Sequence, residues 1–154
     1  MPFEITADLP PIDLRRHGPL VSGSWRHNES VVPGKFLIDT GAGGILICES
    51  VAKALGLPRQ SESEAHGLTG KATLNQYSVQ LCLPVKDDQD RDIMFMVPVE
   101  CQGIPDLSTN HQTYGVDVIG VLGRLFLQFV RLDVNGVTGH VRLHIDDAIT
   151  RPSP

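Results

Sequence analysis

The chain has 154 residues, 41% of them hydrophobic and 20% charged, the balance of one soluble globular domain around a single core. Its formal net charge is −5, and its densest basic stretch, Arg15-Arg16-His17, lies beside Asp13. No face is basic enough to neutralise phosphates, which excludes a nucleic-acid partner.

The N-terminus, Met-Pro-Phe-Glu-Ile-Thr-Ala-Asp, has no basic start and no apolar stretch of the kind a secretory signal needs. No apolar run approaches the roughly 20 residues that span a bilayer. A cytoplasmic protein with no membrane partner is therefore expected. Cys48, Cys82 and Cys101 are odd in number, far apart and without metal-ligand spacing. They read as free thiols of a reducing compartment.

Frequent Gly and Pro between short apolar runs favour strands joined by turns. Residues 21–34 are polar and rich in turn formers, which predicts a hairpin loop. Residues 35–39 (KFLID) form a short apolar strand ending on an acid. Gly41, Ala42, Gly43 and Gly44 then predict a tight turn. Residues 45–47 resume as a strand. Residues 49–57 (ESVAKALGL) are the best helix candidate, opened by Glu49 and closed by Gly56 and Pro58.

Residues 59–66 are polar, 67–70 read as a hairpin tip, and 72–83 as a strand. Residues 86–92 (KDDQDRD) predict a charged turn; they lack the glycine and closing glutamate of a calcium loop. A strand over 93–99 is expected at an edge because of Pro98. A polar loop follows over 103–116, then a buried strand at 118–122, a short helix from Gly123 to Phe129, and a terminal hairpin around Asn135-Gly136. Trp25, set among polar residues, either covers the core or anchors a dimer contact. His140 and His144 share parity on the last strand and read as a solvated face rather than metal ligands.

The segment that carries chemistry is Phe36-Leu37-Ile38-Asp39-Thr40-Gly41-Ala42. A charged acid at the end of an apolar strand is costly to bury. Paired carboxylates give a reason to tolerate it: at about 3 Å apart, two of them share one proton. The ionised member then activates a water, and the protonated one donates to the substrate carbonyl. Asp-Thr-Gly occurs once in this chain, since Val follows both Asp117 and Asp133. A second Asp39 would come from another copy, across a twofold axis.

Asp39-Thr40-Gly41-Ala42 resembles the signature of retroviral-type aspartic proteases. Val121-Leu122-Gly123-Arg124-Leu125-Phe126-Leu127 is similar to that family's apolar-apolar-Gly-Arg-x-x-Leu segment. The spacing between the two, with Gly18-Pro19-Leu20-Val21, Leu55-Gly56-Leu57 and Gly139-His140-Val141-Arg142-Leu143, looks like the bacterial single-domain retropepsin-like group. The likeness covers roughly residues 10–145.

The resemblance implies an all-β fold: a small closed retropepsin-like barrel with one or two short helices, in a single domain over 1–154. It implies an aspartic endopeptidase acting as a C2 homodimer on a peptide or protein substrate, with no metal or organic cofactor. Asp39 would be catalytic. Thr40 would brace the loop across the dimer axis, and Gly41 would let backbone N–H groups approach the carboxylate. Ala42, Leu68, Thr69, Gly70, Val121 and Leu122 would bind substrate, with 68–70 at the tip of a mobile flap. Gly123 would let the chain pass under the catalytic loop, and Arg124 would make a buried ion pair or a backbone contact.

Two departures stand out. Leu125 replaces the usual Asp or Asn after Gly-Arg, which removes a polar cap and leaves the partner of Arg124 open. The flap lacks a tyrosine, Tyr77 and Tyr114 being too far along. A catalytically silent peptide-binding or dimerisation module is the competing function. An unrelated β-barrel binding domain, expected as a monomer, is a third.

Overall fold

The computed structural model describes residues 3–67, 70–104 and 117–146. Ten strands and three short helices are found among them. They are β1 (Phe3–Asp8), α1 (Pro11–His17), β2 (Leu20–His27), β3 (Ser30–Ile38), β4 (Ile45–Cys48), α2 (Glu49–Ala54) and β5 (Ser61–Gly67). They continue with β6 (Gly70–Lys86), β7 (Asp92–Ile104), β8 (Val118–Leu122), α3 (Arg124–Leu127), β9 (Val130–Asn135) and β10 (His140–Ile145). None of these helices is long and apolar enough to cross a membrane.

Six strands close on themselves in the order β2-β3-β8-β4-β7-β6, with β6 pairing back onto β2 at Ser24↔Cys82, Trp25↔Leu81 and Arg26↔Gln80. Closure leaves these strands few open edges. The expected closed barrel is therefore present. A second layer, β1-β10-β9, joins the barrel through Glu4↔Lys86.

The region 21–34 is a correction. It is not a loop but most of a long hairpin, β2 against β3 from Leu20↔Leu37 to His27↔Ser30. The turn is only Asn28-Glu29. Asn28 takes a φ of 54°, which its short side chain tolerates and which matches the strand twist. Serines and glycines gave the segment its loop-like composition. Its inward face, however, carries Val21, Gly23 and Trp25, and Trp25 is fully buried. The Trp25 ring meets Phe36 edge-on at 5.1 Å, and its Nε1–H donates to the Ile119 carbonyl oxygen at 3.0 Å. Of the two roles left open for this residue, the structure shows the core.

Similarly, the polar run 59–66 is largely strand β5, paired with β6 from Ser61↔Gln76 to Gly67↔Gly70. Leu68 and Thr69 lie outside the described residues, as do Tyr114 and most of the predicted loop over 103–116. Gly103 and Ile104 end β7. Helix α1 opens on Pro11 at its first position and closes where Gly18, at φ 83°, donates its N–H to the Leu14 carbonyl oxygen. The charged turn at 87–91 is held by Asp87, whose carboxylate accepts the N–H groups of Gln89 and Arg91 and the Arg91 guanidinium. Asp87 is thereby held below its usual carboxylate range, chiefly by the Arg91 backbone bond.

The core runs through Trp25, Phe36, Ile47, Leu81, Leu83, Ile119, Leu122 and Phe126, and continues under the second layer with Val141, Leu143 and Ile145. All three cysteines are buried and outside any disulfide. Burial, with some help from the Glu49 charge, pushes the Cys101 thiol up to about 12, and burial raises Cys82 as well. Native protein at about pH 8 is therefore expected to leave a thiol-specific disulfide reagent unreacted, with all three thiols appearing in denaturant. Rapid labelling of the folded protein would contradict this.

On the outer layer, His140 meets Asp8 at 2.7 Å. Glu4 accepts from Arg142 at 2.6 Å and faces His144 at 3.1 Å. The histidines thus pair with acids of β1. Hydrogen bonds from Arg142 first, then His144, hold Glu4 below its ordinary value. A depressed carboxylate stabilises the fold above the unfolded value, and that contribution is lost as pH falls through the folded value. Glu4→Gln is expected to melt lower than wild type at neutral pH. The gap should close below about pH 4. A gap that stays constant with pH in thermal melts would contradict the assignment.

Candidate active site

Strand β3 ends at Ile38, and Asp39 is the first residue beyond it. The Asp39 N–H still donates to the Leu122 carbonyl oxygen at 3.1 Å, so the parallel β3–β8 pairing fixes where the acid begins. Its side chain is half-buried. Asp39 Oδ1 accepts the Gly41 N–H at 2.8 Å, and the Asp39 carbonyl oxygen accepts the Ala42 N–H at 3.2 Å. The carboxylate is thus oriented by its own turn through Oδ1. A Cβ on Gly41 would stand 3.1 Å from Oδ1, tight against the acid.

The rest of the loop is bound to the segment after β8. Gly123, Arg124 and Leu125 donate their N–H groups to the carbonyl oxygens of Gly44, Ala42 and Gly43 at 3.0, 2.8 and 2.9 Å. The first N–H groups of a helix normally need a side-chain cap. In α3 the loop carbonyls fill that role, and no side chain caps Gly123. This answers the question raised by Leu125. The polar cap its side chain fails to provide is replaced by loop backbone, and Leu125 itself is left 50% exposed.

Arg124 makes a backbone contact: its Nη1 donates to the Thr40 carbonyl oxygen at 2.8 Å, across 84 positions of sequence. The residue is exposed rather than buried, which corrects that part of the expectation. Gly123 is under steric compulsion. A Cβ there would overlap the carbonyl oxygens of both Gly44 and Ala42.

Strand β8 lies between β3, parallel to it, and β4, antiparallel to it, through Ile38↔Leu122 and Ile45↔Leu122. The two strands that flank the loop thus share one central neighbour. The structure brings Asp39, Thr40, Gly41, Ala42, Gly123 and Arg124 into one hydrogen-bonded unit. Val121 and Leu122 sit behind it, with exposures of 3% and 0%. Their side chains are enclosed in the barrel wall, so in the single chain they present no open pocket surface. Gly70 is placed at the root of the β5–β6 turn with φ 130°.

Beside the loop, a cleft of about 270 Å³ is lined by Gly44, Ile45, Gln76, Glu100, Cys101, Gln102 and Leu125. A larger one, about 610 Å³, lies away from the loop between α1 and Gly136, with Arg15 as its one charged lining residue. Volume is therefore a poor guide here, and the bonded loop marks the site. Sequence reasoning did not find Glu49 as a partner for Asn75 and Tyr77 (hydrogen bonds at 3.1 and 2.6 Å). The one available signal was an acid opening α2 and two polar groups of equal parity on β6.

Comparison with known proteins adds a family. Residues 28–105 match the family model described as "gag-polyprotein putative aspartyl protease". No curated protein matches the chain. Among solved structures, the chain is similar to a retropepsin-like aspartic protease from Rickettsia conorii, at 17% identity and a TM-score of 0.44, covering 94% of this chain and 91% of that one. It is also similar to EIAV protease complexed with the inhibitor HBY-793, at 21% identity and a TM-score of 0.34, covering 62% of this chain and 75% of that one.

Proposed function

Since the chain belongs to the gag-polyprotein aspartyl protease family, we propose that it is an aspartic endopeptidase active as a twofold homodimer, each subunit giving Asp39 to one shared site. The observation that carries this reading is Asp39 itself: one half-buried carboxylate on a loop made rigid by backbone bonds to Gly123, Arg124 and Leu125. One such acid per chain is half of a proton-sharing pair, and an isologous interface supplies the other half.

In the pair, the ionised carboxylate takes a proton from water as that water attacks the peptide carbonyl carbon. The protonated one gives its proton to the carbonyl oxygen, forming a tetrahedral diol. Collapse of the diol breaks the C–N bond, with a carboxyl proton passing to the leaving amine. Neither carboxylate becomes covalently attached.

Thr40, exposed in the single chain, is free to reach the partner's backbone across the axis. The substrate lies extended under the β5–β6 hairpin, with Leu68, Thr69 and Gly70 among the residues that bind it, and against Ala42 on the loop. Val121 and Leu122 shape the site from behind. The cell interior is the compartment in which we place the reaction.

The test is hydrolysis of an unfolded protein between about pH 4 and 7, where a pair can hold one proton. We expect cleavage that is strongest on the mildly acid side and blocked by a pepstatin-type inhibitor. An intact dimer that cleaves nothing at any pH would instead identify a silent peptide-binding module.

A further inference from the structure

Helix α2 follows β4 without a break, and β4 is the strand that leaves the catalytic loop. Glu49, the first residue of α2, is therefore tied by a short, rigid path to Asp39. Its carboxylate is half-buried and has both oxygens engaged: Oε1 accepts from Asn75 Nδ2 at 3.1 Å, and Oε2 accepts from the Tyr77 hydroxyl at 2.6 Å. Asn75 and Tyr77 stand on β6, the arm that returns from the hairpin tip. Asn75 pairs with Glu62 of β5, and Tyr77 with Cys101 of β7.

A side chain at Gly103 would collide with the Glu49 carboxylate, so β7 is bare where the carboxylate passes. Tyr77 is 6% exposed. A second tie runs in parallel: Gln102 Nε2 donates to Ser63 Oγ at 2.6 Å, joining β7 to β5, and Gln102 is itself the register partner of Leu46 in β4. One tie joins the root of the β5–β6 hairpin to the start of α2, and the other joins it to β7 beside Leu46 of β4, the strand that leaves the catalytic loop.

We propose that Glu49 is a positioning residue for the proteolytic site: through Asn75 and Tyr77 it sets the angle of the β5–β6 hairpin over the catalytic loop, and so the closed position in which substrate is held. The inference rests on the proteolytic reading above. A half-buried carboxylate accepting two hydrogen bonds is a stiff joint, because breaking either one leaves a partly desolvated acceptor without its partner. Burial first, then the bond to Glu49, raises the Tyr77 hydroxyl, which keeps it a donor to the carboxylate. Hairpin placement governs how well substrate is gripped more than the chemistry between the two Asp39 groups. Loss of the joint should therefore appear in KM.

The experiment compares wild type, Tyr77→Phe, Glu49→Gln and Glu49→Ala in the full-length dimer. Steady-state kinetics on a peptide substrate are combined with hydrogen exchange of backbone amides. Tyr77→Phe and Glu49→Ala are expected to raise KM about three- to tenfold with kcat within about twofold. Glu49→Gln, which can still accept from Tyr77, should fall between wild type and Glu49→Ala. Amides of 61–66 and 71–76 should exchange faster, while those of the β1–β10 ladder stay unchanged. Unchanged hairpin exchange, or a loss in kcat with KM constant, would overturn the proposal. If wild type cleaves nothing, the proteolytic reading fails instead; exchange in the hairpin then still tests whether Glu49 holds it.

Discussion

Asp39→Asn is expected to lower turnover by at least about a thousandfold, the scale set by removing a positioned acid–base group. The substitution is close to isosteric. Asparagine Oδ1 can still accept the Gly41 N–H that orients the side chain. The backbone bonds from Asp39 to Leu122, and from Gly123, Arg124 and Leu125 to the loop, do not involve the carboxylate. Loop shape, melting temperature and sedimentation should thus match wild type, and the lost rate is the lost proton chemistry. Residual cleavage within tenfold of wild type would show that another group activates the water.

Gly123→Ala is expected to destabilise the fold by about 3 kcal/mol or more, at the upper end of what overpacking costs. The new methyl would meet two carbonyl oxygens, those of Gly44 and Ala42. Neither can retreat cheaply, because each accepts a backbone N–H from this same segment, Gly44 from Gly123 and Ala42 from Arg124. Relief of the overlap breaks the bonds that hold the catalytic loop to α3. For a chain of this size the melting temperature should fall by about 6–12 °C, and activity should fall with it. A stable, active Gly123→Ala protein would mean that the loop and α3 are not packed as described.

These two residues were legible in the sequence because each expresses a backbone demand. An acid at the end of KFLID followed by Thr-Gly, and a glycine between a buried strand and a short helix, are local patterns with few structural solutions. The same holds for α2, for β9 and β10 around Asn135-Gly136, and for the charged turn at 87–91. Pro98 was read as an edge signal, and among the described residues β7 has no partner but β6 at that position.

Composition misled where tertiary pairing overrode it. Residues 21–34 and 59–66 look like loops because Ser, Gly and Glu predominate. Both are strands, because β6, at 17 residues, is long enough to pair with β5, β7 and β2 along its length. Strand β1 and helix α1 were not anticipated, although Pro11 and Gly18 carry recognisable helix start and stop chemistry.

At the site, the role of Arg124 was half readable: a backbone contact was foreseen, its exposure was not. Its acceptor, the Thr40 carbonyl, cannot be inferred from side-chain types. Nor can the way loop carbonyls cap α3 in place of a polar side chain at Leu125. Glu49 was invisible as a partner of Tyr77 for a related reason, since 28 positions separate them and only the barrel brings them together.

The most direct measurement mixes wild-type and Asp39→Asn subunits and follows hydrolysis after the chains have exchanged. With one shared site per dimer, an equal mixture should retain about a quarter of the activity of the same total amount of wild type, because only that share of dimers carries both acids. Retention of about half, the value for chains that act independently, would contradict a site built from two copies of Asp39.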